Sequence, residues 1–269
     1  DFVATGNRGQ IALAIDDFRD GLASIHVWPM LGWLEIKQRY RRSVLGPFWL
    51  TISTGAMIGG MGPLYGRLFG LDLATYFPYL AVSFIVWLFI ASVVNDACMV
   101  FIASEGYIKQ MKVPLTVFVL RMVWKNLIIF GHNVIIAALV LLWWPPALSA
   151  HMLLIPLGVL LVAINSIWLG AFLGLLCARY RDIPQIVGSL VQVAFFLTPV
   201  MWKPEMLKTS QWAATWNPFY HFLEVVRGPL VGTATNWSSW MIVLGITVAG
   251  YAFTLLFFAR FRARIAYWV

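Results

Sequence analysis

The sequence predicts an all-α, polytopic integral membrane protein. It should have six transmembrane helices, an N-terminal amphipathic interface helix ahead of them, and re-entrant outer helices between spans five and six. Three observations carry this. Hydrophobic residues fill 61% of the 269 positions and charged ones only 11%, with a mean hydropathy of +0.81. A soluble domain carries about 25% charged residues, and so few polar groups would not cover a water-exposed surface. The apolar residues gather in six stretches of span length, and the basic residues crowd the segments on one side of those stretches.

Residues 1–21 read as a polar N-terminal segment. "DFVATGNRGQIALAIDDFRD" lacks the apolar run of a secretory signal, and a start at Asp1 is expected to leave an initiator and some leading residues outside the numbering. Residues 22–45 read as the interface helix. Val27, Met30, Leu31 and Leu34, with Ile36 slightly offset, form an apolar stripe, while Glu35, Lys37, Gln38, Arg39, Arg41 and Arg42 weight the other side and the C-terminal end. Cations there are favoured by the helix dipole and by anionic lipid head groups. Gly46-Pro47 then breaks the helix and turns the chain into the bilayer.

Residues 46–269 form one transmembrane domain, with spans at about 48–66, 77–103, 115–142, 152–177, 183–201 and 240–259. Six crossings put both termini on one side. If that side is the cytoplasm, it receives Arg8, Arg19, Lys37, Arg39, Arg41, Arg42, Lys109, Lys112, Arg179, Arg181, Arg260, Arg262 and Arg264, with Arg121 and Lys125 near its boundary. The other side keeps Arg67, Lys203, Lys208 and Arg227. This bias predicts cytoplasmic N and C termini. Trp143, Trp144, Trp237 and Trp240 fit an aromatic belt at the outer boundary.

Between the spans, "SEGYIKQMKVP" (104–114) suits a short charged helix with Ser104 as its cap. "ARYRDIP" (178–184) is a second inner turn, with Pro184 placed to start the next helix. The outer segment 202–239 is too polar to cross a membrane, yet "FYHFLEVVRGPLV" keeps helical periodicity. A pair of short re-entrant helices turning at Asn217-Pro218 accounts for it, with Glu224 and Arg227 three apart and able to pair. Within the spans, Asn95, Asp96, Arg121, Lys125, Asn126, His132 and Asn133 are costly unless they face protein or water. Arg121 and Lys125 lie close enough to the boundary to snorkel, and His132 is expected to be hydrogen-bonded in helix packing.

The sequence contains no G-x-x-x-x-G-K-[ST] phosphate loop and no H-E-x-x-H motif, so neither nucleotide hydrolysis nor metal chemistry is expected in this chain. Cys98 and Cys177 lie in apolar runs, which argues against a disulfide scaffold. The net charge of +8 follows membrane sidedness rather than nucleic-acid binding. An ion-driven carrier would call for midplane carboxylates and an internal repeat. Only Asp96 answers the first requirement, and no repeat is visible.

Several strings together resemble the permease subunit of a type-2 ABC exporter, within the polysaccharide and O-antigen export group. They are "EIKQRYRRSVLGPFW" (35–49), "KVP" (112–114), "YRDI" (180–183), "TPVMW" (198–202) and "NPFYHFLEVVR" (217–227), and the likeness runs from about residue 25 to 260. The resemblance implies two permease copies paired with two copies of a separate ATP-binding subunit, which carries the ATP and Mg²⁺. It also implies export of a lipid-diphosphate-linked polysaccharide across the bacterial inner membrane. Lys37, Arg39, Arg41 and Arg42 would then hold the lipid diphosphate at the entrance. Glu105, Tyr107, Lys109 and Lys112, with Arg179, Arg181 and Asp182, would couple to the ATPase. Phe69, Tyr76, Tyr79, Phe195, Phe196, Trp202, Phe219 and Tyr220 would line a channel or outer gate, beside the Glu224–Arg227 pair of the re-entrant helices. A related exporter of teichoic-type or capsular polymer, drug or lipid is the alternative.

Overall fold

The structure, a computed structural model, describes residues 9–39, 41, 46, 48–146, 149–207, 210–233 and 235–269, with the backbone alone at Arg39. Its helices in chain order are α1 (Gln10–Ala23), α2 (Trp28–Arg39), α3 (Phe48–Leu68), α4 (Leu73–Met99), α5 (Glu105–Gln110), α6 (Thr116–Trp143), α7 (Ile155–Arg179), α8 (Ile183–Leu197), α9 (Trp212–Thr215), α10 (Pro218–Val231), α11 (Trp237–Phe261) and α12 (Ile265–Trp268). Among the described residues there is no strand.

α4 is the axis, with α3, α6, α7, α8 and α10 packed around it. Its most apolar stretch is 78% buried against protein, whereas that of the helix ending in α11 and α12 is 22% buried. An apolar helix left uncovered on this scale is a helix built to meet lipid. Four helices among the described residues are long and apolar enough to cross a membrane: α4, α6, Ala150–Arg179 and Trp237–Trp268. α3 has the length, at 21 residues, but its glycines, Ser53, Thr51 and Thr54 dilute its hydropathy. α8 has 15 residues, about 22 Å at 1.5 Å per residue, short of the ~30 Å hydrocarbon core. It stops at Leu197 because Thr198 is extended (φ −90°, ψ 138°) ahead of Pro199.

The N-terminal third differs from its sequence reading. The stretch taken as a polar segment holds α1, and the helix expected over 22–45 runs from Trp28 to Arg39 after a turn at Ser24–Val27. α1 forms because Asp17 has a tertiary task. Its carboxylate accepts from the backbone N–H groups of Leu115 (3.2 Å) and Thr116 (3.0 Å) and from the Thr116 hydroxyl (2.8 Å). It thereby satisfies the orphan donors at the start of α6. Arg262 lies 3.9 Å from the same carboxylate and donates to the Leu13 carbonyl, tying α1 to the end of α11. Gly46 takes a left-handed conformation (φ +57°), the turn expected at the Gly-Pro step. Pro47 itself lies outside the described residues.

The segment after α8 resolves into a 3-10 turn (Pro204–Leu207), α9 and α10. Asn217 caps α10 by accepting from the Phe219 N–H at 2.9 Å, and Pro218 opens the helix as the sequence indicated. α10 packs among α4, α7 and α11. It comes so close to α7 that a Cβ at Gly158 would lie 2.4 Å from the Val225 carbonyl oxygen.

Candidate functional site

At one end of the bundle α2 lies across α6. A Cβ at Gly32 would stand 3.0 Å from Trp124 and 3.2 Å from the Arg121 carbonyl, so glycine permits the close approach. This contact sets Glu35 over a row of charges. Lys125 Nζ lies 2.9 Å from Glu35 and 2.8 Å from Asp96, bridging α2 and α4 from α6. Asn126 donates to the same Asp96 carboxylate at 2.9 Å. Arg121 Nε sits 3.5 Å from Glu35, and its Nη2 donates to Ser104 Oγ at 3.0 Å. Two carboxylates and two cations thus alternate, which makes charges affordable at this depth.

Arg121 and Lys125 therefore face protein partners rather than reaching out to the boundary. The outward face of α2 is the opposite of this joint. Val27, Met30, Trp33 and Leu34 are exposed, as are Lys37 and Arg41, while Ile36 is turned inward. The Arg39 side chain and the whole of Arg42, both expected at the substrate entrance, lie outside the described residues.

The second feature of this end is α5. Ser104 does not cap it. Its hydroxyl donates to the Val100 carbonyl at 2.6 Å and accepts from Arg121, so it is already engaged. Glu105, Tyr107, Lys109 and Lys112 all point into open space. Lys109 pairs with Glu105 at 2.6 Å, and this, with a weaker contribution from Arg181, holds the Glu105 carboxyl below its ordinary range. Arg179 stacks 5.2 Å from the Trp268 ring centre, and Arg181 donates to the Trp268 carbonyl at 3.1 Å. α12 touches both α5 and α7, so the two turns form one surface together with exposed Asp182.

At the opposite end, Arg227 is buried with every nitrogen engaged. Nη1 shares its two protons among Tyr79 Oη (2.7 Å), Ser83 Oγ (3.1 Å) and the Pro199 carbonyl (2.6 Å). Nε and Nη2 donate to Glu224 at 3.1 and 2.5 Å, forming the pair that the sequence spacing indicated. The Tyr79 hydroxyl lies 3.0 Å from both the Pro199 and the Trp202 carbonyl and can donate its one proton to either, and Tyr76 Oη donates to the Met201 carbonyl.

The eight expected gate aromatics do not come together as one lining. Tyr76 and Tyr79 are buried and tied to backbone. Phe69 stacks on Tyr65 with centroids 5.7 Å apart. Phe195 and Phe219 close on Trp87 at 5.8 and 5.6 Å. Phe196 is exposed, and its carbonyl accepts from the Trp202 indole at 3.1 Å. Tyr79 and Tyr220 both border a cavity of about 350 Å³, with Glu224 and Arg227. His132 bonds the Ile128 carbonyl at 2.8 Å, as helix packing required.

Residues 27–231 match the family described as ABC-2 type transporter. The match starts just before α2 and ends with α10, so it encloses both polar clusters and the surface around α5. The chain belongs to the ABC-2 type transporter family. It is the membrane component of a type-2 ABC exporter, and permeases of this kind generally pair with a separate ATP-binding subunit. A search of curated proteins found no match to the chain. In this ABC-2 permease, the sequence reading overlooked Glu35 as the partner of Lys125 and Arg121. The available signal was a lone acid in an otherwise basic helix.

Proposed function

We propose that this permease exports a lipid-diphosphate-linked polysaccharide of O-antigen type across the bacterial inner membrane. Two copies act with two copies of the ATP-binding subunit, which supplies ATP and Mg²⁺. In this reading α3 and α8 complete six spans, α10 and its neighbours re-enter from the outside, and both termini are cytoplasmic. The surface formed by α5 and residues 179–182 docks the ATPase.

The observation that carries the reading is α2. Its outer face joins an uncovered apolar stripe to Lys37 and Arg41, while Glu35 fixes its inner face on α6. A lipid diphosphate needs both features in one place, since its acyl part seeks the apolar surface and its phosphates seek cations. Arginine suits the second task because its planar fork of donors matches phosphate oxygens.

The test is the double reversal Arg41→Glu with Arg42→Glu in the assembled complex. Stimulation of ATP hydrolysis by a lipid-diphosphate-linked glycan should fall at least about tenfold, equivalent to ~1.4 kcal/mol. The ATP-binding subunit should still co-purify. Undiminished stimulation would reject α2 as the head-group site.

A further inference from the structure

A cavity of about 450 Å³ lies between α3, α4 and α6, a size typical of small-molecule sites. Its walls are of two kinds. Phe84, Phe89 and Phe130, with Leu50, Met57, Leu88 and Ile129 beside them, supply an apolar wall, and the rings of Phe89 and Phe130 stand 4.9 Å apart. Ser92, Asn95, Asn126 and Asn133 supply a wall of hydroxyl and amide groups. Most of the polar capacity there is satisfied within the protein. Asn126 Nδ2 donates to Asp96 and to the Met122 carbonyl, and Asn95 Nδ2 donates to the Ala91 carbonyl. Asn133 is different. Its side chain lines the cavity, the residue is 6% exposed, and its Oδ1 is buried with no hydrogen-bond partner. Closed off as it stands, that oxygen gains a partner only when the amide turns it into the cavity towards a ligand donor.

We infer that this cavity binds a neutral, polyhydroxylated ring, the chemistry of a sugar residue, with the Asn133 amide hydrogen-bonding a ligand hydroxyl. Charge excludes the alternatives. Asp96, the one ionised group among the described lining residues, is matched by Lys125 at 2.8 Å, and Lys125 is in turn engaged by Glu35. Among the described residues no cation is left for a phosphate and no carboxylate for a metal or an amine. An acyl chain gains nothing from the amides, and water gains nothing from three phenylalanines. A sugar has hydroxyl edges for one wall and C–H faces for the other. The inference rests on the export reading for the source of the ligand, since it places a glycan unit beside the path of its chain.

The probe is a neutral disaccharide carrying a photoreactive diazirine, with no lipid and no phosphate. It is added to the permease–ATPase complex in lipid nanodiscs free of glycoside detergent. Labelled peptides should come from α3, α4 and α6 around the cavity, and unlabelled disaccharide should compete while inorganic pyrophosphate should not. Asn133→Leu should cut labelling at least about tenfold, and the milder Asn133→Ser should give a smaller loss. Absence of label from these helices in the unmodified protein overturns the inference, as does competition by pyrophosphate. Stimulation of ATP hydrolysis by lipid-diphosphate-linked glycan reports separately on the export reading. Labelling without stimulation keeps the site and sinks that reading, and stimulation without labelling does the reverse.

Discussion

Lys125 and Arg227 are both cations enclosed by apolar helices, with side chains 7% and 4% exposed. Their surroundings differ. Arg227 binds Glu224 on its own helix and three further groups, Tyr79, Ser83 and the Pro199 carbonyl, so none of its nitrogens is idle. Lys125 is shared between Glu35 and Asp96 on two other helices, and those carboxylates are 34% and 31% exposed. Glu35 Oε2 and Arg121 Nε, 3.5 Å apart, complete no hydrogen bond. A fully satisfied buried charge fixes one arrangement, because any shift leaves groups unpaired. A partly satisfied cluster open to water on one side loses less by rearranging. The first is an anchor joining α10 to α4, and the second is a joint by which α2 is held to the bundle.

Breaking the anchor should have the larger effect. Arg227→Met strands Glu224 in a buried site and should cost about 3–5 kcal/mol, read as a lowered melting temperature of the solubilised protein. Arg227→Lys keeps the charge but not the fork of donors, so it should recover only part of the loss. Wild-type melting in both variants would remove the anchor from the account.

The joint should give a smaller loss of a different kind. Lys125→Met leaves Glu35 and Asp96 without their shared cation and should cost about 1–3 kcal/mol, discounted because both carboxylates are partly exposed. Adding Glu35→Gln should return part of it, with a coupling of about 0.5–3 kcal/mol in the double-mutant cycle. Amide exchange should rise in α2 for Lys125→Met but not for Arg227→Met. Additive effects, or exchange rising equally in both variants, would erase the distinction between anchor and joint.

The contrast also shows what was legible in the sequence. Glu224 and Arg227 are three residues apart on one helix, so helical geometry alone paired them. Pro184 and Pro218 opened their helices for equally local reasons. Glu35 and Lys125 are 90 residues apart, and only the Gly32 contact brings α2 onto α6. Asp17 likewise reads as one more charge in a polar stretch until α6 places its first N–H groups against it. The gate aromatics were chosen by depth along the spans. Depth does not say what a tyrosine hydroxyl will meet: Tyr76 is bonded to a carbonyl, while Tyr79 meets carbonyls and also borders the cavity with Tyr220. Pairings within one helix were therefore readable where no tertiary contact intervened; Ser104, drawn off by Val100 and Arg121, and α1, held to α6 by Asp17, show where one did.

The smallest effect belongs to α5, the surface counterpart of both clusters. The Lys109 ammonium, and more weakly Arg181, lower the Glu105 carboxyl below its ordinary value. A group whose folded-state pKa is depressed contributes stability above its unfolded value, about 4.3 for Glu, and loses it as pH falls through the folded one. The contribution to α5 is thus complete at neutral pH, declines below about pH 4.3, and disappears once the carboxyl protonates in the folded helix. Amide exchange over residues 105–110, corrected for intrinsic rates, should show protection falling on acidification. Glu105→Gln should flatten that dependence while leaving α2 and α10 untouched. An equally steep acid loss in Glu105→Gln would assign the titration to another group. A response spreading into α2 would mean that Ser104 and Arg121 transmit changes at α5 to the Lys125 joint, which would then extend to the surface.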